Sequence, residues 1–150
     1  MPYAIYHPGK STSSADTLCE PLGIPRDPQR THRWIVAGVA PCIIPRLAEL
    51  VMTDVGVICH LAGISRSTLI RKLRSDTPLS IEQGTRVYGV VQVLSAVLSL
   101  HERDTVGALL WLNRPAKGLN GMAPAELLVT PMGVQAVVDL VGQIEHGVCP

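Results

Sequence analysis

The apolar positions divide the chain at Pro41. Residues 1–40 hold Pro2, Pro8, Pro21, Pro25 and Pro28 among serines and glycines, and no period is sustained there. Such a segment reads as an arm, flexible or pinned by a partner. From Pro41 onward the spacing becomes helical. No run alternates apolar and polar residues between turn signals, so the fold class expected is all-α. "PCIIPRLAELV" gives one helix, with Pro45 in its first turn or at a break, and "TDVGVICHLA" gives a short second one. "SRSTLIRKLRS" gives a third, interrupted at "SDTP" because Pro78 disfavours helix at Thr77. Ser80 and Gln83 fit an S-x-x-Q capping box for a fourth. Its stripe Val87, Val90, Val91, Leu94, Val97 and Leu98 has helical spacing, and Val93 and Leu100 widen it beyond one face, so this helix is expected to be central. Asp104 is placed to cap a helix running to Leu112. "NRPAKGLNGMA" is a turn-rich loop, after which Pro124 opens a short helix. Thr130 and Pro131 are an N-cap followed by Pro at the first helical position. The last helix carries Val134, Val137, Val138, Val141 and Ile144 on one stripe and stops at Gly147.

The segment "HLAGISRSTLIRKLRSDTP" concentrates chemistry. Gly63 can take positive φ, which lets two helices meet steeply. Ile64 before the Ser65 cap and Leu69 after it form a hydrophobic staple. On a helical wheel Leu69, Ile70 and Leu73 share one face. Ser67, Arg71 and Arg74 lie together on the outside, Thr68, Lys72 and Ser75 lie beside them, and Arg66 is at the N-terminal end. A basic helical face alone is commonly just solvated. The cap, the staple, the Gly turn and the preceding short helix together predict a helix-turn-helix whose second helix enters a DNA major groove. The candidate DNA-binding residues are Ser65, Arg66, Ser67, Thr68, Arg71, Lys72 and Arg74. Arg can take guanine bidentately and Ser or Thr can meet several bases, while Lys72 and Arg74 suit phosphates. One helix on one half-site binds weakly, so a dimer is expected. The helices near 41–51 and 81–101 are either its faces or plain core.

Composition changes this picture at few points. The net charge is +1, so contact with DNA must come from a local patch. Arg26, Arg30, His32 and Arg33 make the end of the arm basic, as a solvated run or a phosphate contact. Hydrophobic residues make up 47% of the chain with only 3% aromatic and no Phe, so Val, Leu, Ile and Ala must build the core. Cys19, Cys42, Cys59 and Cys149 show no C-x-x-C spacing and are expected as reduced thiols. The histidines are scattered without an H-x-x-x-H pair, so neither a metal site nor a cofactor is expected. The N-terminus lacks a secretory pattern, and the run "VYGVVQVLSAVLSL" is too short to cross a bilayer. A cytoplasmic protein without a membrane partner is expected.

A minimal DNA-binding unit would end near Leu100. The remainder carries Trp111-Leu112, Pro115, Leu119, Gly121, Pro124, Leu127-Leu128, Thr130, Gly133, Val137, Leu140 and the closing Ile144-Glu145-His146-Gly147. In these residues it resembles the toxin-binding domain of the Xre/MbcA/ParS antitoxins, over about Asp104 to Val148. The helix-turn-helix before it matches the same family's DNA-binding half, and together they span about two thirds of the chain. The family's usual Gly-Gly is Asn120-Gly121 here, and Asn is the next-best residue for a left-handed turn. Its usual Thr before Pro124 is Ala123, which forfeits a side-chain cap.

The chain is expected to divide into three segments: an arm at 1–40, which the resemblance does not cover, a DNA-binding domain at 41–101 and a toxin-binding domain at 102–150. The resemblance implies a two-headed antitoxin that binds a RES-domain toxin, shields it from destroying NAD, and represses the shared promoter at operator DNA. A homodimer or a higher hetero-oligomer with the toxin is expected. The candidate toxin-binding residues are Trp111, Asn113, Arg114, Lys117, Asn120, Glu145, His146 and Val148. Trp111, set among Leu109, Leu110 and Leu112, reads as core support. A cleft gripping the pyrophosphate of NAD must present cations or backbone donors, so Glu145 and the terminal carboxylate could compete there.

Two rivals follow from the residues. One is a stand-alone helix-turn-helix regulator whose C-terminal half binds a ligand or partner. A pocket with aromatics or charge pairs would favour it. The other is an enzyme built on Cys59 and His60. Adjacent helical residues point about 100° apart, which is poor geometry for a nucleophile and its base, so no catalytic residue is expected.

Overall fold

A computed structural model describes residues 16–147. Among the described residues the structure is all-α, and its regular elements are helices. They are α1 (Asp16–Leu22), α2 (Pro28–Ala37), α3 (Ile43–Leu50), α4 (Val55–Ala62), α5 (Arg66–Ser75), α6 (Ile81–Leu100), α7 (Thr105–Leu112) and α8 (Pro131–Glu145). Short 3-10 turns at Lys117–Leu119 and Pro124–Leu127 join α7 to α8.

α6 is the axis of the molecule. Ser80 Oγ accepts from the Gln83 N–H at 3.1 Å and the Gln83 side chain accepts from the Ser80 N–H at 2.9 Å, so the capping box forms. The expected stripe is buried together with Val93. This helix packs against α1, α2, α4, α7 and α8. One apolar cluster extends from Leu18 to Val141, so both ends of the chain share a core through α6. The crossing of α6 with α8 is close at Gly89, where an added Cβ would stand 2.7 Å from a Val134 methyl.

The first forty residues differ from expectation. No helix is predicted there, yet α1 and α2 form, and Leu18, Leu22, Ile24 and Val39 are buried. Asp27 caps α2 by accepting from the Arg30 N–H at 3.1 Å, and Pro28 takes the first helical position. This segment is bound to the rest of the chain by polar contacts as well. Arg46 donates to the Pro21 carbonyl at 2.8 Å, and the Leu79 N–H to the Val39 carbonyl at 2.8 Å. The part of the expected arm at residues 1–15 lies outside the described residues, and from Asp16 onward the segment is helical and packed on the core.

The remaining elements start and stop largely where the cap residues place them. Asp104 sits at the N-cap of α7 but its side chain makes no capping bond. Asn120 is left-handed at φ 56°, as the Asn-Gly substitution requires. Ala123 supplies no cap, and the Glu126 carboxylate accepts from its N–H at 3.2 Å instead. Thr130 Oγ1 accepts from the Gly133 N–H at 3.0 Å and opens α8. No helix among the described residues is long and apolar enough to cross a membrane.

Candidate functional site

α4 and α5 meet at a left-handed Gly63, φ 68°. Asp54 opens α4 by accepting from the Gly56 N–H at 2.8 Å, and Ser65 opens α5 by accepting from the Thr68 N–H at 3.1 Å. Ile64 and Leu69, the two ends of the staple, are both buried. Arg86 of α6 reaches the turn, with Nη1 3.4 Å from the Gly63 carbonyl, while its Nη2 pairs with Glu82 at 3.0 Å. α5 is therefore held at its start by its cap and staple, and its outer face is open.

The structure sorts the candidate DNA-binding residues. Ser67, Arg71 and Arg74 line one shallow exposed groove with Ile70 and Ser75. Neither Arg71 nor Arg74 makes a side-chain hydrogen bond or ion pair within the described residues. Arg66 turns toward α4, where its guanidinium would be 3.2 Å from a Cβ added at Gly56. Lys72 donates to the Pro78 carbonyl at 3.0 Å. Ser65 and Thr68 are joined by a hydroxyl bond of 2.8 Å and complete the cap. The expectation that Leu69, Ile70 and Leu73 share the inner face is corrected. Only Leu69 is buried, and Ile70 and Leu73 are exposed. The cause is geometric: Ile70 follows Leu69 by about 100° and so falls on the side of Ser67 and Arg71.

The candidate toxin-binding residues lie at two places. Trp111 is half-buried against the core, its ring 6.3 Å from that of His101. Asn113 closes α7 by donating to the Leu109 carbonyl at 2.8 Å, and Arg114, Lys117 and Asn120 are exposed on the following loop. Glu145 and His146 are exposed at the end of α8, with His146 Nδ1 2.7 Å from the Gly142 carbonyl. Val148 lies outside the described residues. Sequence reasoning missed the exposed apolar pair Val106 and Leu110 on α7 and the exposed Val129 and Met132 at the start of α8. Their i, i+4 spacing on α7 was the available signal.

A cavity of about 360 Å³ lies between α6 and the start of α8, lined by the Glu82–Arg86 pair, Tyr88, Gln92, Val129 and Val134 among others.

Cys59 and His60 do not form a reactive pair. Cys59 is buried and His60 exposed. Burial pushes the Cys59 thiol above its usual range, and the Arg66 charge only partly opposes this. Of Cys19, Cys42 and Cys59, only Cys42 is exposed. Alkylation by iodoacetamide, read by mass spectrometry, should therefore modify Cys42 well before Cys59. Because the Cys59 pKa is raised by burial, its own labelling should climb only as pH rises past the usual thiol range. Faster labelling of Cys59 near neutral pH would contradict the burial.

Comparison with known proteins gives a consistent result. A model described as the antitoxin Xre/MbcA/ParS C-terminal toxin-binding domain matches residues 96–147, beginning within α6. Antitoxin Xre of Yersinia enterocolitica (serotype O:8 / biotype 1B) is 35% identical over 144 residues, covering 95% of this chain and 97% of that protein. That similarity takes in most of residues 1–40, which the resemblance read from the sequence left out. Antitoxin Xre of Photorhabdus laumondii is 27% identical over 74% of this chain and 75% of its own. The Prs ADP-ribosylating antitoxin of a Sphingobium species is 27% identical over 75% of this chain and 76% of its own.

Proposed function

The chain belongs to the Xre/MbcA/ParS antitoxin family, toxin-neutralising regulators and not enzymes, and from that premise we propose which toxin it meets and how it acts on DNA. The toxin is a RES-domain protein that degrades NAD, and the chain also represses its own operon. Residues 41–101 carry the DNA-binding half and residues 102–150 the toxin-binding half, joined through α6. The observation that supports both roles most directly is the attachment of a toxin-binding match at 96–147 to an open, basic groove on α5.

At the DNA head, Ser67, Arg71 and Arg74 reach the groove of an operator half-site. Arg66, Lys72, Ser65 and Thr68 hold the helix in place and add phosphate contacts at its margin. Two copies, or a larger assembly with the toxin, occupy paired half-sites. At the other head, α8 and the loop from Asn113 to Asn120 dock on the toxin, and residues 145–150 cap its NAD site. Glu145 supplies the negative charge that a pyrophosphate-binding cleft would accept.

The test is NAD itself. Cells producing the RES-domain toxin should lose NAD, and the full chain should prevent the loss. A variant lacking residues 145–150 is expected to co-purify with the toxin and yet leave NAD unprotected. Full protection by that variant would move the inhibitory surface to the loop 113–122. Failure of the full chain to protect NAD would remove the RES assignment.

The cavity between α6 and the start of α8, with Tyr88 and the Glu82–Arg86 pair on the side of the DNA-binding half and Val129 and Val134 on the other, favours a second reading, a helix-turn-helix regulator that binds a small ligand between its two halves. That regulator would bind DNA but would neither co-purify with the toxin nor spare NAD.

A further inference from the structure

The side chain of Ile70 is 47% exposed, although a leucine or isoleucine in a ten-residue helix next to a core is ordinarily turned inward. It stands in the same groove as Ser67, Arg71, Arg74 and Ser75, all of them residues of α5. α5 has Arg66, Arg71, Lys72 and Arg74 and no acid before Asp76. Leu73, three residues on, is also exposed, but the cations and hydroxyls that share the groove with Ile70 do not suit an apolar protein partner, because those charges would be buried unpaired. The combination suits the major groove, where each thymine presents a C5-methyl between hydrogen-bonding edges and phosphates.

Resting on the reading of α5 as the groove helix, we propose that Ile70 reads a thymine methyl in each operator half-site, next to the base contacted by Arg71. Neighbours on a helix lie about 100° apart, so Ile70 and Arg71 reach adjacent positions along the groove. The pair would then specify a thymine beside a guanine, the guanine through the guanidinium and the thymine through apolar contact. The contact buries one methyl group. Its loss should weaken binding about fourfold, equivalent to ~0.8 kcal/mol.

The experiment uses the full chain and a pool of random-sequence duplexes. The best-bound duplex is resynthesised with single thymines replaced by uracil, which lacks only the methyl, and affinities are measured at one fixed salt concentration. One thymine per half-site should show the fourfold loss. Ile70→Ala should bind the thymine and uracil duplexes equally, whereas Arg71→Ala should weaken both and keep their ratio. Wild-type binding insensitive to every uracil would overturn the proposal, as would an unchanged ratio in Ile70→Ala. If no duplex is enriched at all, the DNA-binding reading falls first and takes this inference with it. If Ile70→Ala instead converts an assembled protein to monomers at an unchanged ratio, the face is a contact between copies and the thymine contact is refuted.

Discussion

Replacing Arg71 and Arg74 together by alanine is expected to weaken operator binding by at least ~2 kcal/mol, about thirtyfold, with folding and toxin neutralisation intact. Both side chains are exposed, line the α5 groove and make no hydrogen bond or ion pair within the described residues. Their removal therefore costs the fold little. A base-reading arginine contributes about 1–3 kcal/mol of binding, and a phosphate-contacting one lowers the salt dependence by about one ion. Measuring affinity across a salt series separates the two roles. If Arg71 reads a base, its single replacement should relax preference at one position. If Arg74 contacts phosphate, its replacement should weaken all sequences alike. Arg66→Ala makes an informative contrast. Its guanidinium lies over Gly56 of α4, so a smaller effect on operator affinity and a measurable one on stability are expected. Unchanged operator affinity in the Arg71/Arg74 double variant would remove α5 as the reading helix.

The same residues show what the sequence could convey. Caps were legible because they are local. The Ser65, Ser80 and Thr130 side chains make the bonds their positions predict, since an N-cap needs only a donor three residues on. The stripe of α6 was legible because a long helix averages over many positions. α2 was missed although Asp27-Pro28 is the same start signal as Thr130-Pro131. The prolines around it suggested an irregular arm, while burial of Thr31 and Val39 against the core is a tertiary event. α1 is short, and its Leu18 and Leu22 form too brief a pattern to count as a period.

The site was harder to read than the fold for a related reason. A helical wheel puts Arg71 and Arg74 on the outer face, Lys72 beside them and Arg66 at the N-terminal end, but it leaves all four as candidate DNA contacts. What takes Arg66 and Lys72 out of the open groove is what lies beside them: the bare Cα of Gly56 for one and the Pro78 carbonyl for the other. Those neighbours come from α4 and from the loop before α6, so no pattern within α5 reveals them. Ile70 illustrates the converse. It was assigned inward because it is apolar, and the position of α5 on the core turns it outward.

The second large effect concerns Gly133. It is buried in the first turn of α8, its N–H bonded to Thr130 Oγ1 at 3.0 Å, and a Cβ there would collide with the Leu127 carbonyl oxygen. The obstacle is backbone belonging to the 3-10 turn Pro124–Leu127, which buries Pro124 and leads into fully buried Leu128, so it cannot move aside as a flexible side chain would. Gly133→Ala is therefore expected to destabilise the protein by about 3 kcal/mol, at the upper end of overpacking costs, and to loosen α8 from α6. Because Val134 beside it packs on Gly89, the loss should spread to the α6–α8 crossing and abolish toxin neutralisation. Gly142→Ala on the same helix is the control. Nothing lies within 4 Å of a Cβ added at Gly142, and a helical Gly→Ala change there should stabilise by about 0.5–1 kcal/mol. Urea midpoints for the two variants, measured beside co-purification with the toxin, decide the matter. A Gly133→Ala protein as stable as the parent would show that the 3-10 turn is free to shift, and α8 would then not depend on a glycine at that point.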